Sequence, residues 1–238
     1  MMKMMILAPR RAQLTHAAFR RYVTEVHGPL VRSVPEVAAD IRHYHYNFPI
    51  ATATDGAFGH PLASELDIVT QGWFDSREAQ LRNMSEPRYL QIIRPDEGRF
   101  ADEQGALMHY TRERVIRDGQ ATQLKVFYFR RRHPRLSREA FQLAWAERFP
   151  AALGAALANT ASVARYVQNQ VLSESEHPAG EEPRYYDLID EFCVHRLDDF
   201  AAFGSLPSRR SAVRAIEAEL LQATRTRAFV AETVYNIP

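Results

Sequence analysis

The stretch from Leu14 to Asn47, LTHAAFRRYVTEVHGPLVRSVPEVAADIRHYHYN, returns without a gap from Leu136 to Asn169, LSREAFQLAWAERFPAALGAALANTASVARYVQN. Phe141 follows Phe19 by 122 positions, as Tyr166 follows Tyr44 and Asn169 follows Asn47. Within the first copy, Thr15 is a good helix cap, and Phe19, Tyr22, Val23 and Val26 keep the i, i+3, i+4, i+7 spacing of one buried helical face. Gly28 and Pro29 read as the end of that helix, because glycine tolerates a turn and proline cannot continue the ladder. The alternation from Asp40 to Asn47 then reads as a strand. The copies differ most at one place, where His27 in the first faces Phe149 in the second.

Working outward, Lys3–Ala8 reads as a first strand, and Phe48–Glu65 as a loop long enough to be functional. Asp67–Phe74 reads as a third strand. Ser76 caps a helix through Met84, a second helix runs from Pro87 to a stop at Pro95, and Ala106–Ile116 is a fourth strand. Asp118-Gly119-Gln120 is the candidate linker. The second half repeats the order, with a polar loop from Leu172 to Arg184, and Asp67 and Asp187 match as residues that pin strand ends in both copies. Each half is therefore strand-helix-strand-strand-helix-strand, the order of the ferredoxin-like motif. Its helices cover one face of its sheet, and the other face needs a partner. The expected fold class is α+β: two tandem ferredoxin-like domains, residues 1–117 and 123–238, forming an intramolecular, pseudo-dimeric α/β barrel.

Composition sets the outer bounds. Hydrophobic residues make up 46% and charged residues 25% of 238, a globular balance that can bury a core. A net charge of +1 gives no electrostatic footprint for nucleic acid. One cysteine, Cys193, excludes an internal disulfide framework. The apolar patch in MMKMMILAPR is too short for a signal-peptide core, and no stretch approaches a membrane span, so a cytoplasmic protein without membrane contact is expected.

Phe19-x-x-Tyr22, then His27-Gly28-Pro29-Leu30-Val31 and a tyrosine-bearing strand, resembles the EthD domain family of the dimeric α/β barrel superfamily. The resemblance takes in nearly the whole chain as two tandem copies. The second keeps Phe141, Trp145 and Arg165-Tyr166-Val167-Gln168-Asn169 but has Phe149-Pro150-Ala151 in place of His27-Gly28-Pro29. It implies a pocket between the sheets. The relatives it implies range over cofactor-free monooxygenases, cyclases, isomerases, decarboxylases and dehydratases of aromatic compounds, and haem enzymes, so fold alone does not name a reaction.

The residues themselves offer a short set of candidates. His27 titrates near neutrality, so one ring can take and give a proton, and a helix exit would help it hold a charge. The competing reading is a helix cap whose ring bonds backbone carbonyls. On the strand His43-Tyr44-His45-Tyr46, the histidines share one face and the tyrosines the other. Either set could polarise a carbonyl or hold an oxyanion, and pattern alone leaves the choice open. His27, Tyr44 and His43 are the catalytic candidates, and His45, Tyr46, Trp73, Tyr166 and Gln168 the substrate-binding ones. A metal site of His43 and His45 with His27 or His109 lacks a carboxylate at a diagnostic spacing, so no metal and no cofactor are expected. The leading expectation is a cofactor-independent enzyme acting by proton transfer on a small apolar or aromatic carbonyl compound: dehydration, decarboxylation, cyclisation or isomerisation. An oxidoreductase and a non-catalytic binding module are the alternatives. The expected partner is a small molecule, with a homodimer of the pseudo-dimeric chain open to it.

Overall fold

A computed structural model describes residues 1–50, 58–154, 157, 160–172 and 185–237. Most of the polar loop expected at Leu172–Arg184, and part of the one at Phe48–Glu65, lie outside the described residues. The chain divides into two units that exchange segments. Unit 1 holds Met1–Pro49, Ser64–Arg112 and Thr233–Pro238, and unit 2 holds Ile50–Ala63 and Glu113–Glu232.

In unit 1, β1 (Met2–Ala8), β2 (His43–Pro49), β3 (Ile68–Phe74) and the first part of β4 (Leu107–Arg117), up to Arg112, pair antiparallel in the order β4-β1-β3-β2. The register puts Tyr44 opposite Gly72 and Tyr46 opposite Thr70. The helices are α1 (His16–Tyr22), α2 (Gly28–Ser33), α3 (Pro35–Ala38), α4 (Arg77–Ser85) and α5 (Arg94–Phe100), with π-helical turns at Val23–His27 and Tyr89–Ile93. Thr15 and Ser76 cap α1 and α4, each accepting a backbone N–H three residues on, at 3.1 and 3.2 Å.

In unit 2, β5 (Leu124–Arg130), β6 (Arg165–Val171), β7 (Leu188–Val194) and the first part of β8 (Arg227–Ile237), up to Glu232, pair in the order β8-β5-β7-β6. They carry α6 (Arg138–Leu153), α7 (Leu197–Ser205) and α8 (Pro207–Leu220). The strand-helix-strand-strand-helix-strand order of unit 1 recurs here, the ferredoxin-like order. Asp67 and Asp187 do the same work in each copy: they accept the backbone N–H of Arg10 at 2.8 Å and of Arg132 at 3.0 Å, and so fix the strand ends.

Two sequence expectations change. The His27-Gly28-Pro29 step does not end the helix. The π turn bonds the Gly28 N–H to the Val23 carbonyl, and Pro29, which has no N–H to lose, falls in the first turn of α2. Gly28 is needed for space rather than for a turn: its φ is −60°, but a Cβ there would lie 2.8 Å from Asn236 Oδ1. Pro95 likewise begins α5 instead of stopping the preceding helix. No described helix is long and apolar enough to cross a membrane.

Candidate functional site

Unit 1 contains a cavity of about 290 Å³ between its sheet and its helices. Its walls are largely apolar, with Met4, Ile6, Ile68, Phe74, Met84 and Met108 among them; Thr70, Asn83, Arg94 and Glu103 also border it, and His27, Tyr44, Tyr46, Tyr89 and Glu97 are the polar groups that could carry chemistry. The resemblance implies a pocket between two sheets; this one lies under the helices of unit 1. It settles which face of β2 matters there. Tyr44 and Tyr46 line the cavity, whereas His43 and His45 turn to the other face and pack on Trp73, at ring-centroid distances of 5.9 and 4.7 Å. Lys3 Nζ sits 4.5 Å from the same Trp73 ring. His27 and the two β2 histidines are therefore on opposite faces of the sheet, so His27 does not join them, while the register puts His109 on the same face as His45. Among the described residues no cluster of three or more His, Cys, Asp or Glu could hold a metal.

The π turn swings His27 into the interior, where it is 2% exposed. Its Nδ1 donates to Asp96 Oδ2 at 2.9 Å, since a carboxylate can only accept. Asp96 is held in turn by the Tyr22 hydroxyl, which donates to Oδ1 at 2.6 Å. The Phe100 ring lies 4.7 Å from the imidazole. Burial pushes the His27 pKa below its ordinary 6.5, and the Asp96 hydrogen bond and charge only partly oppose it. His27 is thus a neutral imidazole with its proton fixed on Nδ1 and its Nε2 lone pair available. The cap reading, with the ring on backbone carbonyls, is replaced by this side-chain pair.

Tyr46 is 2% exposed, and its hydroxyl has no hydrogen-bond partner among the described residues. Burial raises the pKa of both Tyr44 and Tyr46, so both phenols stay protonated and can donate. Glu97, on α5 beside Asp96, accepts from the Tyr89 hydroxyl at 3.0 Å and from Arg94 at 3.2 Å. Burial lifts its pKa to about 7, against the lowering pull of Tyr89 and Arg94. Asp96, Glu97 and Tyr89 were not among the sequence candidates. Their one signal was the repeat itself, which lays Glu97 on Glu217 at the same offset as Asp67 on Asp187.

Unit 2 fills the corresponding positions differently. Phe149 stands where His27 does and stacks on Trp145 at 4.5 Å. Phe192 stands at the Gly72 position and stacks on Tyr166 at 4.2 Å. Phe58, from the long loop, packs edge-on against Phe149 at 5.9 Å and Phe200 at 6.1 Å. Arg130, at the Ala8 position, is buried between Asp190 at 2.9 Å and Glu217 at 2.7 Å, and His60 reaches Glu217 at 2.8 Å. Tyr166 donates to Asp190 at 2.6 Å and accepts from Gln168 at 2.8 Å. Tyr166 and Gln168 thus belong to the packed interior of unit 2, and neither they nor Trp73, His43 and His45 line the cavity of unit 1.

Comparison with known proteins points to the same half. Residues 11–104 match the EthD domain family, a span that includes His27, Tyr44, Tyr46, Asp96 and Glu97. A conidial pigment biosynthesis dehydratase, EthD, of Metarhizium robertsii is 32% identical over 101 residues, 41% of this chain and 71% of that protein. Among solved structures, a Fusobacterium nucleatum protein named as a monooxygenase superposes over 98% of this chain and 91% of its own, with a TM-score of 0.60 at 5% identity. An anthrone oxidase-like protein covers 99% and 93%, with a TM-score of 0.57 at 12% identity. At such identities those two structures establish the fold alone. The shared sequence establishes more: this chain belongs to the EthD domain family.

Proposed function

We propose that this protein is a proton-transfer enzyme of the dehydratase type, acting on a small β-hydroxy carbonyl compound with an aromatic or otherwise apolar body. The observation that carries the reading is the buried His27–Asp96 pair opening on an apolar cavity that also holds an unpartnered Tyr46 hydroxyl. Nε2 of His27 takes the proton next to the substrate carbonyl. The electron pair moves into the new C=C bond of the enolate, and the oxyanion is met by the phenolic O–H of Tyr46, with Tyr44 beside it. Expulsion of the β-hydroxyl as water completes the elimination. The cavity lies at the small end of ligand sites, which run from about 300 Å³ upward, and so suits one compact ring system. The dehydratase relative in the same family supports the reaction class.

The test is His27→Ala with the aldol of benzaldehyde and acetone as probe, followed by ultraviolet absorbance of the conjugated enone. Turnover should fall by about 100-fold or more, with the thermal midpoint lowered far less than by emptying a core site. A variant that keeps its turnover per folded molecule removes His27 from the mechanism. Oxygen uptake in step with substrate loss would replace elimination by oxidation, and binding without turnover in the wild type would favour a binding module.

A further inference from the structure

We propose that Glu97 is the general acid of this site, donating the proton that leaves with the substrate hydroxyl; the inference rests on the proton-transfer reading above. Glu217 occupies the Glu97 position in unit 2, and there it is committed to structure, ion-paired to Arg130 and hydrogen-bonded to His60. Despite its burial, Arg130 and His60 hold the Glu217 pKa below the ordinary carboxylate value. In unit 1 the strand position of Arg130 belongs to Ala8, which brings no charge and leaves open volume: Ala8 and Glu97 both line the cavity. Without that buried cation, the Glu97 carboxylate keeps Tyr89 and the half-exposed Arg94 as partners and borders the cavity.

The surroundings of Glu97 suit the role. Tyr89 fixes Oε1 from the π turn, Arg94 holds Oε2, and Glu103 draws Arg94 toward itself in a second ion pair. Arg94 is substantially exposed, so the Oε2 side is the side that meets solvent and can be reprotonated. Across the cavity, β2 presents Tyr44 and Tyr46, both of which feel the Glu97 charge, and Tyr46 also feels Asp96 and Arg32. Burial leaves Glu97 with a pKa of about 7, so at neutral pH a large share of molecules carry the acid that elimination needs. The step balances. His27 Nε2 gains the α-proton, the C–O bond breaks with the oxygen keeping the pair, Glu97 loses its proton to that oxygen, and water departs. Proton return from His27 to Glu97 through solvent resets both groups.

The experiment separates the two halves of the reaction on the benzaldehyde–acetone aldol in D₂O. Deuterium entering the carbon next to the carbonyl reports the His27 step, and enone absorbance reports loss of water. Glu97→Gln should keep deuterium exchange within about twofold of wild type while dehydration falls by about 100-fold or more. The alkaline limb of the pH profile, expected near 7, should vanish in Glu97→Gln and the acid limb should stay. If Glu97→Gln dehydrates at the wild-type rate while His27→Ala abolishes exchange, Glu97 is not the acid and the proton-transfer reading stands. If Glu97→Gln loses exchange and dehydration equally, with a lowered thermal midpoint, its role is structural. If wild type neither exchanges nor dehydrates the aldol, the reading and the role of Glu97 fall together.

Discussion

Asp96→Asn tests the site at its most constrained atom pair. The carboxylate accepts from His27 Nδ1 at 2.9 Å and from the Tyr22 hydroxyl at 2.6 Å, in an interior where both carboxylate and ring are nearly sealed from water. A hydrogen bond to a charged group contributes about 1.5–3 kcal/mol, about half or more of which is lost when the acceptor becomes neutral. At about 1.4 kcal/mol per tenfold, complete loss lowers kcat/KM roughly ten- to hundredfold. If Asn keeps its Oδ1 on Tyr22, its N–H₂ meets Nδ1. His27 must then move its proton to Nε2 and cease to be a base, so the upper end of the range is expected. The pH profile gives a second reading. Burial depresses the His27 pKa and Asp96 works against it, so removing the charge depresses it further. Because the base must be neutral, the acid limb of kcat/KM should move to lower pH. The assay is enone formation across pH, with a thermal scan to confirm that the isosteric side chain leaves the fold intact. An unchanged kcat/KM with the acid limb in place would refute the idea that Asp96 sets the state of His27.

Phe149→Ala should cost about 3–5 kcal/mol in denaturant unfolding, because it empties a fully buried site stacked on Trp145; a loss no larger than that of His27→Ala would contradict the contrast between the copies. Gly72→Phe imitates unit 2. A Cβ at Gly72 lies 3.3 Å from Tyr44 Cδ2 and 3.2 Å from Phe74 Cε2, so a phenyl ring there must displace Tyr44 and occupy the cavity. The variant should fold, at a strain of about 1–3 kcal/mol, and lose probe binding in a calorimetric titration; retained binding would move the ligand site elsewhere.

Much of the architecture was legible because the repeat and its caps are local signals. Thr15, Ser76 and Ser137 each accept the N–H that a cap should. The site was legible in part. His27 and the β2 tyrosines stood out, but the face of β2 did not, because both faces are buried: Tyr46 is 2% and His45 9% exposed, so the alternation carries no polar-out signal. Asp96 and Glu97 were hidden by Pro95. A proline after a helical run reads as a stop, yet following a π turn it starts the next helix, which brings Asp96 to His27 and Glu97 to the cavity wall. The π turn at Val23–His27 hid the setting of His27 in the same way, since it adds a residue to the turn that periodicity assumes.

The exchange of segments bears on how this chain could be taken apart. Phe58 and His60, encoded in the first half, complete the interior of unit 2, and Thr233 and Asn236, at the far end, complete unit 1 through Asn47 and Arg32. Severing the backbone at Asp118–Gln120 would leave each fragment missing a piece the other carries. The two should be poorly behaved when made singly and recover by complementation when made together, which would make the covalent link a matter of assembly rather than of either interior.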